Sequence, residues 1–271
     1  MPANIIDSLQ VKPNKEVSLY NWKCNGLKKI NKEEAERTLE QDLIKNMSEL
    51  QYKLFADKSQ ALLIILQGLS AAGKDSTVRS VMNAFNPQNC RAISFKVPSE
   101  QERSHDYLWR IHNLVPAKGD IAIFNRSHYE DVVEVRVRKL LPRSIWSKRY
   151  QQINEFENYL DSNNIRIIKL FLLISKKEQK RRLEQRIRDP VKQWKLTESD
   201  LSEPFIYDSY INAYQETLSK CSTDWAPWYI IPADAKWLRN YLIAQIIIKT
   251  LKEMNLKFPK PKFDILKFIN S

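Results

Sequence analysis

One short segment has the residue types and the spacing that bind phosphate. Gly68, Gly73 and Lys74 fit the pattern G-x-x-x-x-G-K between the apolar residues 61–67 and a helical pattern. In such a loop the backbone N–H groups converge on an anion at a helix N-terminus, and the lysine reaches its terminal oxygens. An ordinary strand-to-helix turn would not need Lys74. We therefore predict that phosphate is bound by Gly68, Ser70, Ala71, Ala72, Gly73, Lys74 and Ser76.

The residue after this lysine is unusual. Loops of this pattern normally continue with a Ser or Thr whose hydroxyl binds Mg²⁺, whereas this chain has Asp75. In the first turn of a helix the helix dipole would stabilise Asp75 whatever the function. Its carboxylate is also a hard oxygen ligand that suits Mg²⁺, directly or through water. We favour the metal role, because a carboxylate beside phosphates would repel them unless a cation lay between, and we predict strict dependence on Mg²⁺.

A second polar cluster follows another apolar run, in the segment GDIAIFNRSHYEDV. The apolar residues predict a strand that ends at Asn125, which we predict to bind phosphate or nucleotide, and that brings Arg126 to the same edge as the phosphate loop. Glu130 and Asp131 follow one turn into the next helical pattern. Asn125 stands where many nucleotide kinases have an acid, so the carboxylate that orders a metal is Asp131, Glu130 or Asp75.

A strongly basic segment forms a third candidate region. Residues 176–195 contain nine Lys or Arg against three Asp or Glu. Like charges four residues apart on a helix cost roughly 0.2–0.5 kcal/mol per pair, and arginine forks suit phosphate oxygens. A solvated helix face is the alternative. We predict anion contacts by Arg181, Arg182, Arg186, Lys192 and Lys195.

The elements that must hold these residues alternate between strands and helices. Apolar runs predict strands at 61–67, 91–96, 120–125, 165–175 and 228–232. Helical patterns predict helices at 73–84, 101–113, 128–140, 142–159, 176–187, 198–219 and 233–255. Several strands are continuously apolar, as strands covered on both faces are. The alternation predicts a three-layer α/β/α fold whose parallel sheet binds ligands at the carboxyl ends of its strands.

The first part of the chain carries a separate helical pattern. Asn31 is a candidate N-cap with Glu34 three residues later. The apolar residues after it recur at helical spacing, and they could pack on the main domain or on another subunit. They are Leu39, Leu43, Met47, Leu50 and Leu54. We divide the chain into an N-terminal extension (1–57), a main domain (58–256, with a lid at about 176–200) and a tail (257–271).

The composition narrows the class of protein. The 271 residues carry a formal net charge of +12, which implies a polyanionic partner such as nucleic acid, an acidic membrane or polymeric phosphate. Neither a zinc finger nor an RNA-recognition signature is found, so we expect no nucleic acid. The apolar runs are too short to span a bilayer, so we expect no membrane. Three widely spaced cysteines fit a reducing cytoplasm, where we expect the protein.

Four segments in one order resemble a known family. They are LQGLSAAGKDS, FKVPSEQERSHDYLWRIH, GDIAIFNRSHYEDV and RIRDPVKQWKLTESDL. From about Leu39 to Lys252 the chain resembles the polyphosphate kinase 2 family. The resemblance implies a P-loop kinase fold of the thymidylate-kinase type, with a helical lid, and assembly as a homodimer or homotetramer. It also implies an enzyme that transfers phosphoryl groups between inorganic polyphosphate and nucleotides with Mg²⁺.

The resemblance carries over to particular positions. It marks Gly68, Gly73, Lys74, Asp75, Asn125, Arg126, Asp131 and the lid cations up to Lys195. Many family members have an acid where this chain has Ser70. That departure leaves the division of metal ligands open.

Phosphoryl transfer needs positioning and charge neutralisation more than covalent chemistry. We predict that Lys74, Asp75, Arg126 and Asp131 are catalytic and that Asp75 and Asp131 hold Mg²⁺. The predicted acceptor is a nucleoside diphosphate, ADP or GDP. Its terminal oxygen is already anionic near neutral pH, so the reaction needs no general base. Two alternatives stay open: a nucleoside monophosphate acceptor such as AMP, and an ATP-dependent nucleotide kinase on the same fold.

Overall fold

A parallel five-stranded sheet forms the centre of the molecule. The computed structural model describes residues 4–26, 30–261 and 263. The strands are β1 (Ala61–Gln67), β2 (Cys90–Ser94), β3 (Ile121–Asn125), β4 (Ile165–Leu173) and β5 (Trp228–Pro232). They are all parallel, in the order β2-β3-β1-β4-β5. All five predicted strands are confirmed. The fourth ends two residues early, because Ser175 caps the next helix by accepting a hydrogen bond from the Glu178 N–H.

The central strand sets the position of the phosphate loop. Every residue of β1 is buried, since neighbouring strands flank it on both sides and helices cover both faces. Leu66, near its end, lies opposite Asn125 of β3 and Leu170 of β4. The carboxyl ends of three strands therefore meet at one edge, where parallel sheets of this kind bind their ligands.

Helices cover the sheet in two groups. They are α1 (Asn4–Leu9), α2 (Lys32–Thr38), α3 (Ile44–Asp57), α4 (Lys74–Met82), α5 (Glu100–Arg103), α6 (Trp109–His112), α7 (Glu130–Val137), α8 (Arg143–Trp146), α9 (Arg149–Ser162), α10 (Lys176–Arg188), α11 (Glu198–Ser202), α12 (Tyr207–Cys221) and α13 (Lys236–Glu253). In one group α13 packs against α3 and α4, and in the other α12 packs against α7 and α9. The predicted three-layer α/β/α fold is confirmed.

Three of the predicted helices are divided. The pattern at 101–113 forms α5 and α6, because the Asp106 side chain accepts a hydrogen bond from the Leu108 N–H in the turn between them. The pattern at 142–159 breaks into α8 and α9. The pattern at 198–219 is interrupted at Pro204, which lies in a short 3₁₀ turn between α11 and α12. Proline lacks the N–H that a continuous helix would use there.

The N-terminal helical pattern packs on the same chain. Asn31 is the N-cap, and its side chain accepts a hydrogen bond from the Glu34 N–H at 3.1 Å. From α2 the helix continues through a π-helical turn, Leu39–Leu43, into α3. Met47 and Leu54 are buried, and α3 packs against α13. The stripe therefore contacts this chain's own core, while the division at residue 57 stays a prediction.

Two further expectations concern the ends of the chain and membranes. Most of the predicted tail, residues 257–271, lies outside the described residues. Within the described part of the chain, no helix has the combination of length and hydropathy that crossing a bilayer requires.

Candidate active site

The phosphate loop follows β1 in a conformation that needs its two glycines. Gly68 has φ 149°, and a Cβ there would lie 2.8 Å from the carbonyl oxygen of Leu172. Gly73 has φ 104°, and a Cβ there would lie 2.0 Å from Nη1 of Arg239. Ala71 between them also has a positive φ, 61°, which is uncommon for a residue with a side chain. The predicted order of strand, tight loop and helix is confirmed.

Lys74 lies across the loop that precedes it. Its Nζ donates to the carbonyl oxygens of Gly68 at 2.6 Å and of Leu69 at 3.1 Å. Burial lowers the pKa of Lys74 to about 8, and the positive charge of Arg126 acts in the same direction. The ammonium group is thus held where loop amides and helix dipole also favour an anion.

Asp75 links the loop to two other predicted site regions. Asn125, at the end of β3, donates from Nδ2 to Asp75 Oδ1 at 2.9 Å. Lys195 Nζ lies 3.3 Å from Asp75 Oδ2. Partial burial raises the pKa of Asp75, but these two hydrogen bonds and the charges of Lys195 and Lys74 outweigh it and hold the pKa below its ordinary value. The structure therefore brings together the loop, β3 and the basic segment around an ionised carboxylate.

Arg126 follows β3 with a left-handed backbone, φ 66°. Its N–H donates to Leu66 O at 3.0 Å, which fixes the turn against the end of β1. Its Nη1 lies 3.2 Å from Glu130 Oε2, with the arginine side chain partly exposed. The charge of Glu130 raises the pKa of Arg126, and burial raises the pKa of Glu130. Because its backbone is bonded to Leu66, two residues before Gly68, Arg126 lies near the loop, as the sequence predicts, and its charge lowers the pKa of Lys74.

Asp131 has different neighbours. Its carboxylate forms ion pairs with Arg110 at 3.4 Å and with Arg149 at 3.7 Å. Burial raises its pKa although both arginines act against the shift. Two guanidinium groups therefore compete with any metal for Asp131, whereas the carboxylate of Asp75 is largely exposed, with 67% of its side-chain surface accessible. The metal role of Asp131 stays a prediction.

The five cations of the basic segment that we predict to contact anions differ in their exposure and in their ion-pair partners. Arg181 is half exposed and pairs with Glu178. Arg186 lies 3.7 Å from Asp200, and Lys192 is exposed beside Asp189. Counting charges along the sequence does not reveal these pairs, because the acids that relieve the basic face lie one helical turn away or on a later helix.

Arg182 is turned inward, with 10% of its side chain exposed. A guanidinium group has five N–H donors, and here they meet five acceptors. The acceptors are the Glu178 carboxylate and the carbonyl oxygens of Ala71, Ala72, Ala233 and Asp234. Arg182 therefore supports the loop from behind. Its predicted contact with polyphosphate would require these bonds to break.

Two acidic residues that the sequence analysis did not select also reach the loop. Glu203 accepts a hydrogen bond from the Ser70 N–H at 2.6 Å, and the Ser70 hydroxyl donates to Asp200. Gln179 donates to Glu203 at 2.8 Å. Burial raises the pKa of Glu203 to about 7, although Lys74 lowers it. Of these two acids, only Asp200 has a sequence signal: with Thr197 three residues earlier it forms a capping box.

The donor set fits Mg²⁺. Among the described residues, no group of three or more His, Cys, Asp or Glu could hold a metal ion. Mg²⁺ does not need one, since it is commonly bound by one or two carboxylates together with substrate phosphates and waters. Asp75 offers such a carboxylate, ionised and accessible, beside the loop.

Comparison with known proteins agrees with this geometry. The family model "Polyphosphate kinase 2 (PPK2)" matches residues 29–259. An AMP/ADP-polyphosphate phosphotransferase of Meiothermus ruber is 45% identical over 220 residues, which cover 81% of this chain and 82% of that one. An ADP-polyphosphate phosphotransferase of Rhodopseudomonas palustris is 40% identical over 229 residues, covering 80% and 79%.

A solved structure gives the same result for the fold. Polyphosphate kinase 2 from Arthrobacter aurescens superposes with a TM-score of 0.92 at 36% identity, covering 97% of this chain and 94% of that one. The resemblance noted from the four sequence segments is therefore confirmed. This chain belongs to the polyphosphate kinase 2 family.

Proposed function

We propose that this protein transfers the terminal phosphoryl group of inorganic polyphosphate to nucleotides in a reversible, Mg²⁺-dependent reaction. The observation that carries the proposal is the convergence of Lys74, Asp75, Asn125 and Lys195 at the phosphate loop. The family membership and the activities named for the Meiothermus and Rhodopseudomonas relatives support the same reaction.

The residues of this chain act mainly by positioning and by charge. Loop amides and Lys74 bind phosphate oxygens, and Arg126 approaches from the end of β3 to stabilise the transferring group. Asp75, together with Asp131 if its arginine pairs open, would hold Mg²⁺, which neutralises charge on the phosphate oxygens when it is bound. The exposed cations Arg181 and Lys192 would contact the polymer outside the loop, and the partly buried Lys195 would do so beside Asp75.

The acceptor in this proposal is a nucleoside diphosphate, ADP or GDP. Its attacking oxygen is anionic near neutral pH, so the mechanism needs no general base. A monophosphate acceptor is the second candidate, because the Meiothermus relative is named for both AMP and ADP. An ATP-dependent nucleotide kinase on this fold is the third, and it would need ATP as the donor.

The test is a panel of transfer reactions without ATP. The purified chain, Mg²⁺ and polyphosphate are incubated with each of AMP, ADP, GMP and GDP, and products are separated by ion-exchange chromatography. We expect ATP from ADP and GTP from GDP, and no product in chelator. Product from AMP or GMP alone would make the monophosphate reading correct, and no product from any acceptor would refute polyphosphate as the donor.

A matched pair of lysine variants ties this activity to the loop. We expect Lys74→Ala to lower the transfer rate by roughly 100-fold or more, the typical loss when one hydrogen-bond donor to a transition state is removed. Lys220→Ala removes the same charge from a surface pair with Glu216 and should leave the rate within about twofold of the original, as surface substitutions generally do. Near-normal turnover by Lys74→Ala would exclude the loop from the mechanism.

Assembly and location are also part of this proposal. We propose a cytoplasmic homodimer or homotetramer, as the family resemblance implies. Light scattering coupled to size-exclusion chromatography measures the assembly directly, and a mass of one chain at micromolar concentration would overturn it.

A further inference from the structure

A buried arginine lies beneath the phosphate loop. Arg239 comes from α13 and has no accessible surface. Its Nη2 donates to the Ser76 hydroxyl at 3.0 Å and to Asn240 Oδ1 at 2.9 Å, and its Nη1 lies 3.4 Å from the carbonyl oxygen of Ala72. The same Nη1 occupies the space that a Cβ on Gly73 would need. The guanidinium is therefore in direct contact with the back of the loop.

Within the described ranges, no carboxylate pairs with this guanidinium, and its hydrogen-bond acceptors are neutral. Burial lowers the pKa of Arg239 to about 10, and the nearby charge of Arg182 acts in the same direction. It nevertheless stays protonated at neutral pH. Arg182 pairs with Glu178, so Arg239 contributes the unneutralised positive charge at the back of the loop. Burying an unpaired charge lowers the stability of the folded state. We therefore look for a role of this charge in binding.

One peptide unit, Ala72–Gly73, lies between this charge and the front of the loop, and its dipole is aligned with the field of the guanidinium group. In a trans peptide the C=O and the N–H point in opposite directions. The Ala72 carbonyl faces Arg239 and Arg182, so the N–H of Gly73, in the same peptide unit, faces the opposite side. The two guanidinium groups thus fix and polarise a loop amide whose N–H is directed towards the front.

We propose that Arg239 is a positioning residue for phosphate: its unpaired charge, held against the back of the loop, orients the Ala72–Gly73 peptide and strengthens anion binding on the front. The inference rests on the phosphate site of the proposed function and adds a residue to it. Coulomb interactions at such depth are weakly screened by salt and solvent. Arg239 can therefore act on an anion that it does not touch.

The experiment measures anion binding without turnover. Isothermal titration calorimetry with inorganic tripolyphosphate, in Mg²⁺ and without nucleotide, compares the original chain with Arg239→Gln and Arg239→Lys. The glutamine removes the charge and keeps a polar side chain, whereas the lysine keeps the charge. We expect Kd to rise at least tenfold for Arg239→Gln, about 1.4 kcal/mol, and less than threefold for Arg239→Lys.

Arg166→Met is the matched control. Arg166 is half-buried, pairs with Asp161 at 3.8 Å, and lies near the start of β4 opposite Leu62, at the other edge of the sheet from the loop. Its loss changes the net charge equally and should move Kd less than twofold. Unchanged affinity in Arg239→Gln, or an equal loss in Arg166→Met, would overturn the proposal.

Two further outcomes keep the inference separable from folding and from the proposed activity. If Arg239→Gln does not fold, Arg239→Lys decides: a threefold or greater loss of affinity in a protein with normal circular dichroism overturns a role based on charge. If the original chain binds tripolyphosphate but transfers nothing to nucleotides, the proposed function fails while the Arg239 comparison is still measured.

Discussion

Two lysines, the buried Lys169 on β4 and the partly buried Lys74 at the start of α4, differ in whether a carboxylate pairs with them. Lys169 has no accessible surface, and its Nζ contacts the Glu157 carboxylate at 2.5 Å, the Tyr129 hydroxyl at 2.9 Å and a backbone carbonyl. Lys74 donates to backbone carbonyls and forms no ion pair among the described residues.

The difference separates a structural charge from a functional one. All three donors of Lys169 are satisfied and its charge is neutralised, so nothing remains for a ligand. At the loop, Lys74 and Arg239 lack acidic partners at contact distance, and Arg126 shares Glu130 while remaining partly exposed. Cations that folding leaves without an ion-pair partner are available to a bound anion.

The largest expected effect concerns the core pair. Lys169→Met leaves Glu157 buried without its cation, and we expect the free energy of unfolding to fall by about 3–5 kcal/mol. Denaturant unfolding measures the loss. Adding Glu157→Leu to the first substitution should recover part of it, since replacing a whole buried pair costs far less than breaking it. A Lys169→Met protein of unchanged stability would contradict the structural role.

At the site, Asp75→Asn tests the metal. The amide is a weaker Mg²⁺ ligand than the carboxylate, so we expect the Mg²⁺ concentration for half-maximal transfer to rise about tenfold, equivalent to about 1.4 kcal/mol. Asp131→Asn in the same titration shows whether the second predicted ligand contributes. Asp161→Asn, far from the loop beside Arg166, is the control. An unchanged Mg²⁺ requirement in Asp75→Asn would remove the carboxylate from the metal site.

Much of the fold and of the phosphate loop follows from local sequence patterns, whereas Lys169 and its partner Glu157 do not. The strands, the glycine positions, Lys74 and the N-cap Asn31 are all encoded within a few neighbouring residues, where backbone propensity and periodicity act. The partners of the loop are not. Glu203 is 133 residues from Ser70, and Arg239 is 167 residues from Ala72, so only the folded topology brings them together.

Counting charges along the sequence does not show which basic residues are free to bind a ligand, because their partners are also set by the fold. The composition of the basic segment does not distinguish Arg181, which faces solvent, from Arg182, whose donors are taken by carbonyl oxygens. Likewise, the position of Asp131 in the first turn of α7 does not reveal the arginines of α6 and α9 that pair with it.

Arg181 and Arg182 differ in exposure, and this difference predicts a smaller effect on the binding of short and long polyphosphate. Arg182→Met disturbs the back of the loop, so we expect apparent affinities for tripolyphosphate and for long polyphosphate to fall together, by several-fold. Arg181→Met removes an exposed cation and should weaken only the long polymer, by about twofold, as a surface charge does. Initial rates with both chain lengths measure the difference. If Arg182→Met lowered the affinity for long polyphosphate alone, Arg182 would contact the polymer directly and would not act through the loop.

The smallest effect is a pH dependence. The pKa of Lys74 is lowered to about 8, below its unfolded value of about 10.4, so the unliganded site loses its ammonium charge as the pH rises through 8. We expect tripolyphosphate affinity, relative to Lys74→Met, to decline between pH 7 and pH 9. The ratio cancels the titration of the ligand itself. A constant ratio would mean that Lys74 does not titrate in this range.

The central claim is that this site moves phosphate from an inorganic polymer to a nucleotide. Phosphorus NMR of the purified chain with Mg²⁺, long polyphosphate and ADP, in the absence of ATP, follows the transfer directly. The account predicts that the β- and γ-phosphate signals of ATP grow while the signal of the interior phosphates of the polymer declines, because each transfer shortens the chain by one phosphate and leaves a new end group. Lys74→Ala should abolish both changes. A spectrum that stays unchanged with every nucleotide offered, from a chain shown to be folded, would contradict it.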